Sequence, residues 1–285
     1  MLLAFDGNNI LNRGFHAVPH LSSPKGIPTN AVKGAMEIML AQYRRSKPTH
    51  VACVFDHPSP NFRHELYADY KGQRVRDADK ERLLNPQKPL LRELLKACGL
   101  RVIRKRNKEA DDVIGSLAIY FDGPALIVSN DKDFTQLLTD KSVSLIRVTG
   151  SGEHKQTHTI THKNCEEIMG LPAKKIIEML MLMGDKVDGI PGVKGVGDGR
   201  AIQMLKTQRL KDIDPQALTP AAQRNFLEAA PRFPLTRKLI TIDQSVMSGY
   251  DFNKLVPREP DEPRIASICK ELGMKSLFTT IMNTL

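Results

Sequence analysis

Residues 2–6 read LLAFD, a short apolar run that ends in an acidic residue. The same pattern returns at residues 51–56, VACVFD, and at residues 125–131, where ALIV leads into Ser, Asn and Asp. Short apolar runs bounded by Gly, Pro or polar residues are typical of buried β-strands. The chain is therefore predicted to contain three buried strands, each followed by an aspartate.

Helical patterns alternate with these strands, at residues 31–44, 90–97, 110–121 and 134–138. This alternation predicts an α/β fold in which a parallel sheet is covered by helices on both faces. Ligands of such sheets bind at the carboxyl ends of the strands. The three aspartates are therefore expected to meet at one edge, which is the first candidate for a functional site.

The charge balance favours a polyanionic partner. The 285 residues include 42 Lys and Arg against 32 Asp and Glu, a formal net charge of +10. Nucleic acid is the commonest soluble polyanion, although a basic solubilising surface would give the same balance. The surplus is concentrated at residues 57–108, which hold fourteen Lys and Arg but six Asp and Glu.

Composition also excludes several classes of protein. Hydrophobic residues make up 41% of the chain, which argues against wholesale disorder. The four cysteines are scattered without a CxxC pair, which excludes a disulfide framework and a cysteine zinc site. No apolar run is long enough to span a membrane, and the first one meets Asp6 too early for a signal peptide. We expect a cytoplasmic protein without membrane contact.

Nine acidic residues fall at places that this fold would bring together. They are Asp6, Asp56, Glu109, Asp111, Asp112, Asp131, Asp133, Asp185 and Asp188. Taken singly, each is better explained as a helix cap or a solvated loop residue than as a functional group. Together they would repel one another strongly without a compensating cation. Carboxylates without His or Cys favour Mg²⁺ or Mn²⁺ over zinc, and two such ions about 4 Å apart can bracket a phosphate.

Residues 189–197, GIPGVKGVG, join two helical stretches. No strand precedes them, so they are not a dinucleotide-binding loop. Glycines alternating with hydrophobic residues between two helices fit a helix–hairpin–helix, whose backbone amides bind duplex phosphates without selecting a base sequence. A plain Gly-rich connector is the alternative.

In their order and spacing, these motifs resemble the 5′-nuclease family, which includes flap endonucleases, phage 5′-exonucleases and the 5′-nuclease domain of bacterial DNA polymerase I. The resemblance covers most of the chain. It is carried by Asp6-Gly7, Phe15-His16-Ala17, residues 47–50, Val54-Phe55-Asp56, Phe62-Arg63 with Glu65-Leu66, Tyr70-Lys71 with Arg74, residues 109–115, Asp131-Lys132-Asp133, residues 182–185 and Pro191-Gly192-Val193.

The resemblance implies a resolvase-like (PIN-like) parallel sheet flanked by helices, with a helical C-terminal part that contains a helix–hairpin–helix (helix-three-turn-helix) module. The corresponding domains are residues 1–165, a metal-dependent nuclease core with a basic helical arch at about 57–90, and residues 166–285. The second domain would bind DNA, with the helix–hairpin–helix at about 176–206.

The resemblance also assigns roles to single residues. All nine acids take metal-site roles, with Asp112 and Asp188 as the two that could act through water. Lys71 and Arg74 are the expected catalytic cations, since a spacing of three places both on one face of an arch helix. The expected DNA-binding residues are Arg63, Tyr70, Gly192, Lys194, Gly195, Gly197 and Arg200, with the Tyr70 ring stacking on a base. A K⁺ ion is implied at the hairpin, held by the carbonyls of Val193 and Val196.

The implied function is that of a structure-specific DNA 5′-nuclease in replication or repair. It would hydrolyse phosphodiesters near 5′ single-strand/duplex junctions, as a 5′–3′ exonuclease and a flap endonuclease, with two Mg²⁺ ions or Mn²⁺ in their place. The expected partner is DNA with 5′ flaps or ends, and whether these are RNA-primed stays open. The expected state is a monomer in the cytoplasm, or in the host cytoplasm for a phage-encoded protein.

Two alternatives and three departures from the family pattern accompany this hypothesis. The alternatives are a non-catalytic junction-binding protein derived from a nuclease, and a PIN-type ribonuclease. Charged residues 75–82 replace a Pro-rich stretch of polymerase-linked members, and Gly199 stands where a lysine is typical. No polymerase domain is present, so the expectation is a stand-alone nuclease.

Overall fold

Six strands form one sheet in the computed structural model, which describes residues 1–74, 77–140, 142–149 and 156–285. The strands are β1 Leu2–Asp6, β2 His50–Val54, β3 Arg101–Ile103, β4 Ala125–Val128, β5 Val143–Thr149 and β6 Gln156–Thr161. Their spatial order is β3-β2-β1-β4-β5-β6. The three strands predicted from sequence are β1, β2 and β4, which lie side by side in the middle of the sheet.

The sheet is mostly rather than entirely parallel. Strands β1 to β5 pair in parallel, as expected of the sheet, whereas the edge strand β6 pairs antiparallel with β5. Neither β3 (RVI) nor β6 (QTHTIT) contains a long apolar run. Edge strands are buried on fewer sides, so their sequences carry little of the pattern by which central strands are predicted.

Helices cover both faces of the sheet. In the N-terminal part they are α1 Gly7–Ala17, α2 Asn30–Ser46, α3 Phe62–Leu66, α4 Ala78–Leu84, α5 Gln87–Ala97 and α6 Ala110–Tyr120. The C-terminal part contains α7 Cys165–Met169, α8 Ile176–Met183, the two-residue strands β7 Gly184–Asp185 and β8 Ile190–Pro191, α9 Asp198–Leu205, α10 Pro220–Ala229, α11 Phe233–Ile240, α12 Glu262–Glu271 and α13 Lys275–Met282.

Alternate residues of β1 face two separate hydrophobic cores. Leu2 and Ala4 belong to a core shared with α6, α8 and α11, and Leu3 and Phe5 belong to a core shared with α1, α2, α5 and α12. All four side chains are fully buried. Because successive side chains of a strand point to opposite faces, this apolar run holds helices on both sides and fixes where β1 ends.

The predicted arch, residues 57–90, is only partly helical. Its regular elements are α3, a series of turns at residues 68–73, α4 and the first turn of α5, while Val75 and Arg76 lie outside the described residues. Lys71 and Arg74 therefore do not lie on a helix, which corrects that prediction. Lys71 has a φ of 58°, and its backbone N–H donates to the carbonyl of Asp188 at 2.8 Å. This contact ties the arch to the turn between β7 and β8.

None of the helices formed by the described residues is both long and apolar enough to cross a bilayer.

Candidate active site

The carboxyl ends of the central strands border a cavity of about 590 Å³. Eight of the nine predicted acidic residues line it: Asp6, Asp56, Glu109, Asp111, Asp131, Asp133, Asp185 and Asp188. The sheet explains this convergence, because β2, β1 and β4 are neighbours and the residues that follow them meet at one edge. The N-terminus of α6 and the β7–β8 turn supply the remaining acids.

Asp6 and Asp131 cap helices and face the cavity at the same time. Oδ1 of Asp6 accepts a hydrogen bond from Asn9 N at 3.0 Å, and Oδ1 of Asp131 accepts one from Asp133 N at 2.9 Å. The second oxygen of Asp6 accepts from Ser129 Oγ at 2.8 Å. From the sequence, helix capping and a role in a common acidic site were alternative explanations of these aspartates. Here capping fixes one oxygen and thereby holds the carboxylate at the cavity wall.

The β7–β8 turn holds the last two acids. Oδ1 of Asp185 accepts from Val187 N at 2.8 Å and from Asp188 N at 3.0 Å. Asp56 is held in a similar way, since its Oδ1 accepts from Ala110 N at 2.9 Å. Backbone N–H groups thus hold these carboxylates in place.

Burial and mutual repulsion raise the pKa values of several of these carboxyls. Burial raises the pKa of Asp6 to about 7, and the charges of Asp56 and Asp131 act in the same direction. The pKa of Asp133 is raised to about 8 by burial and then by Asp131. The pKa of Asp111 lies well above its usual range for the same two reasons. Negative charge in this part of the cavity is therefore poorly compensated by the protein itself.

This charge and the all-oxygen donor set fit divalent cations such as Mg²⁺. In the part of the chain that the structure describes, no group of three or more His, Cys, Asp or Glu side chains is already arranged around a single ion position. A divalent cation at this cavity would bind carboxylate oxygens. The eight residues that line the cavity are those that would hold it.

Cations from the arch meet the acids on one side of the cavity. The Lys71 ammonium donates to Glu109 and lies 3.8 Å from Asp188, and the Arg74 guanidinium donates to Asp188. Burial alone would raise the pKa of Glu109, but the charges of Lys71 and Arg63 bring it below its ordinary value. Lys71 and Arg74 thus point towards the acids as predicted, although a turn and not a helix carries them.

Asp112 and Arg63 are corrections to the predicted site. Asp112 is fully buried and does not line the cavity; both of its oxygens accept from the Arg63 guanidinium at 2.8 Å. Arg63 is 3% exposed and also donates to the carbonyls of Leu239 and Thr241. Asp112 is therefore not placed to hold a cavity ion, and Arg63 is not placed to bind DNA. The pair instead links α6 and α3 to the end of α11.

Tyr70 is a further correction. Its side chain is 3% exposed, so its ring is not free to stack on a base. The hydroxyl donates to Glu109 at 3.0 Å and to Asp188 at 3.2 Å, while the ring packs edge-on against His64. Tyr70, which itself lines the cavity, therefore positions two of its acids.

The glycine turn lies next to the cavity and is open to solvent. Gly184 and Gly192 pack backbone to backbone, since a Cβ on Gly192 would lie 2.2 Å from the Met183 carbonyl group. Gly195 has a φ of 80°, whereas Gly197 has an ordinary φ of −105°, so left-handed strain applies to Gly195 alone of these two. Lys194, Gly195, Gly197 and Arg200 are all exposed.

The cation-binding carbonyls predicted at this turn are partly engaged. The carbonyl of Val193 accepts from Val196 N at 3.0 Å, which leaves its second lone pair. The Arg200 guanidinium donates to the Gly195 carbonyl at 3.1 Å, so that a protein cation already lies beside this turn.

Six polar residues that line the cavity were not predicted as site residues from the sequence. They are Asn8, Asn9, Asn12, Asn130, Lys132 and Arg147. Asn8, Asn9 and Asn130 lie within three residues of Asp6 or Asp131, and Asn12 lies about one turn further along α1. Their closeness to the acids that follow β1 and β4 could have drawn attention to them. Arg147 lies in β5, a strand that was not predicted, so no sequence signal pointed to it.

A resolvase-like sheet with an acidic cavity at its carboxyl edge defines a class of metal-dependent nuclease folds. Residues 1–170 match the family model described as 5′-3′ exonuclease, N-terminal resolvase-like domain, and residues 171–263 match 5′-3′ exonuclease, C-terminal SAM fold. The chain belongs to the 5′-3′ exonuclease family, which confirms the family and fold class predicted from the sequence.

Relatives of two lengths match the chain. A 5′-3′ exonuclease of Aquifex aeolicus is 32% identical, over 98% of this chain and 94% of its own length. DNA polymerase I of Bacillus subtilis is 33% identical over 97% of this chain, which spans only 32% of that protein.

Solved structures share the fold. T5 5′-exonuclease with divalent zinc ions bound gives a TM-score of 0.68 at 18% identity, over 99% of this chain and 98% of that one. Flap endonuclease-1 from Methanococcus jannaschii gives 0.67 at 17% identity, over 100% and 93%.

Proposed function

We propose that this chain is a structure-specific DNA 5′-nuclease, with 5′–3′ exonuclease and flap-endonuclease activity on DNA that carries 5′ flaps or ends. The observation that carries the proposal is the convergence of eight carboxylates on one cavity of about 590 Å³ in a chain of net charge +10. An acidic cavity in a chain that is otherwise strongly basic is the pattern expected where metal ions and nucleic-acid phosphates meet.

The chain's own residues have distinct tasks in this proposal. The eight cavity carboxylates would hold two Mg²⁺ ions, or Mn²⁺ in their place, which supply water activation and charge neutralisation at the scissile phosphate when bound. Lys71 and Arg74 lie at the cavity wall, where their cationic groups would attract that phosphate and stabilise charge that develops on it. Tyr70 would keep Glu109 and Asp188 in place.

The glycine turn would hold the duplex. The exposed amides of Lys194, Gly195 and Gly197 and the Arg200 side chain would contact backbone phosphates, which gives affinity without sequence preference. A K⁺ ion bound to the free lone pairs of the Val193 and Val196 carbonyls would add positive charge there. In this division, residues 1–165 carry most of the chemistry, and residues 166–285 add Asp185 and Asp188 to the cavity and make the duplex contacts. One monomer suffices.

Incubation with a 5′-labelled flap duplex, with Mg²⁺ and with a chelator, tests the proposal. We expect Mg²⁺-dependent products cut near the junction. Binding without cleavage at any divalent metal would favour the non-catalytic junction-binding alternative. Cleavage of an RNA strand but not of the matching DNA flap would favour the ribonuclease alternative.

Lys71→Ala and Arg74→Ala are each expected to lower the single-turnover cleavage rate at saturating enzyme by at least about tenfold, or about 1.4 kcal/mol in the barrier. The reason is that each removes a cation that lies beside Glu109 or Asp188 at the cavity wall. Arg82→Ala is the matched control, because Arg82 lies in the same region but is exposed, and its ion pair with Asp79 lies on the surface. A rate for Lys71→Ala equal to that of the wild type would show that the arch cations merely collect DNA.

Gly195→Leu is expected to weaken duplex binding about tenfold at every base sequence, because a side chain would keep phosphates away from the turn amides. Gly197→Leu should weaken binding without the backbone strain, since its φ is −105°. Gly249→Leu is the control for strain alone, because Gly249 has a φ of 72° and a Cβ added there would meet none of the described atoms within 4 Å. Unchanged duplex affinity in a folded Gly195→Leu protein would leave the turn as a plain connector.

A further inference from the structure

Arg147 lines the acidic cavity on the side away from the arch cations. It lies in β5, next to β4. Lys71 and Arg74 instead contact Glu109 and Asp188, which come after β3 and from the β7–β8 turn. Its Nε donates to the carbonyl of Asn130 at 3.1 Å, and one terminal nitrogen contacts the Met169 sulfur at 3.5 Å. These neutral contacts aim the guanidinium without neutralising its charge.

Asn130 is itself held on two sides. Its backbone N–H donates to Asn9 Oδ1 at 3.0 Å, and its side-chain oxygen accepts from Val148 N at 2.8 Å. The residue that orients Arg147 is therefore fixed to both α1 and β5. A guanidinium held on a fixed backbone carbonyl is preorganised, which reduces the entropy lost when it binds an anion.

Arg147 differs from the other cations at the cavity: the charges of Asp131 and Asp133 act on it, but no described carboxylate oxygen forms an ion pair with it. Arg63, Lys71, Arg74 and Lys132 each lie within 4 Å of an Asp or Glu oxygen. Over the described ranges of the chain, Arg147 forms no such ion pair. An arginine at the wall of a cavity, with a terminal nitrogen that has no acceptor among the described residues and no ion-paired carboxylate, is suited to binding a phosphate.

The position of Arg147 connects the cavity to the glycine turn. Its contact Met169 ends α7, and the next residue, Gly170, lies against Ile202 of α9. On the same side, Lys132 of the cavity lies 3.7 Å from Asp198, the first residue of α9. A strand that runs from the cavity to the turn before α9 would pass this wall.

We propose that Arg147 binds a backbone phosphate of the cleaved strand on its duplex side, between the scissile phosphate and the phosphates held at the glycine turn. This inference deepens the proposed nuclease function and rests on it. A contact of this kind fixes the distance between the duplex and the cavity, so that Arg147 is a residue that sets the position of cleavage.

A scan with single methylphosphonates tests the contact. Each substitution removes the charge of one phosphate in the first few positions of the duplex next to a 5′ flap. Affinity is measured by fluorescence anisotropy with Ca²⁺ in place of Mg²⁺, so that binding is observed without relying on turnover. For the wild type, we expect one position on the duplex side to lower affinity about tenfold, the loss of one charged contact.

Arg147→Gln should lower affinity for the unmodified flap by a similar factor and should lose the effect at that one position. The slope of log affinity against log salt concentration should also become less steep by about one. Arg147→Lys should retain part of the effect, because it keeps the charge but not the fork of donors. With Mg²⁺, the products of Arg147→Gln should spread over neighbouring phosphodiesters.

Arg258→Gln is the matched control, since Arg258 is exposed and its backbone pairs with Gly99 just before β3, at the opposite end of the sheet. It should leave the methylphosphonate profile unchanged. The same profile in the wild type and in folded Arg147→Gln would overturn the inference and leave Arg147 as a support for Asn130. Wild-type protein that binds no flap DNA would instead refute the proposed function.

Discussion

Asp111→Asn is expected to reduce cleavage of a 5′-flap duplex by at least about a thousandfold, equivalent to about 4 kcal/mol in the barrier. Asp111 follows the first residue of α6 and faces the cavity, where the charges of Asp131 and Asp6 act on it more strongly than those of the other acids. Asparagine keeps the size of the side chain but removes the charge that an ion would require. Substrate binding should survive or tighten, because one source of repulsion towards phosphate is lost.

The same substitution should stabilise the metal-free protein, and more so as the pH rises. The pKa of Asp111 is raised in the folded state, so ionisation favours the unfolded chain and wild-type stability falls above the ordinary pKa of an aspartate. Asparagine does not titrate. The difference in Tm between Asp111→Asn and wild type, measured with a chelator, should therefore be positive and should grow from pH 5 to pH 8.

Asp122→Asn is the control for both measurements, since Asp122 is exposed just beyond the other end of α6. It should leave cleavage and Tm near the wild-type values. Addition of Mg²⁺ should stabilise the wild type more than Asp111→Asn. Near-normal turnover of Asp111→Asn would refute the assignment of this carboxylate to a metal site.

Arg63→Met is expected to lower the free energy of unfolding by about 3–5 kcal/mol, the usual cost of leaving a buried charge without its partner. Asp112 is fully buried and accepts two hydrogen bonds from Arg63 at 2.8 Å. The carbonyls of Leu239 and Thr241 would lose a donor as well. Urea unfolding followed by circular dichroism measures the loss.

The double variant Arg63→Met, Asp112→Asn should recover much of that stability, because no unpaired charge then remains. Arg264→Met is the control, since Arg264 pairs with Glu93 on the surface, with both side chains at least half exposed. It should cost less than about 1 kcal/mol. A comparably small loss for Arg63→Met would mean that water reaches Asp112 and that the pair does not join the two halves of the chain.

The sequence by itself determined the centre of the sheet and most of the cavity. The strands ending before Asp6, Asp56 and Asp131 were predictable because a strand buried on both faces is a continuous apolar run. Their meeting at one edge follows from parallel pairing alone. The order of the motifs was enough to predict the family. The edge strands β3 and β6 were not predictable in this way, since a partly exposed strand does not need an apolar run.

Only the tertiary structure decided which neighbouring side chains share the cavity. Asp111 and Asp112 are adjacent in sequence, but successive residues of a helix differ in direction by about 100°, so one faces the cavity and the other faces Arg63. The basic and aromatic residues of the arch suggested DNA contacts, yet Arg63 and Tyr70 are buried by elements far along the chain. Arg147 reaches the cavity because β5 pairs beside β4. Such contacts depend on packing between distant segments, which local sequence patterns do not encode.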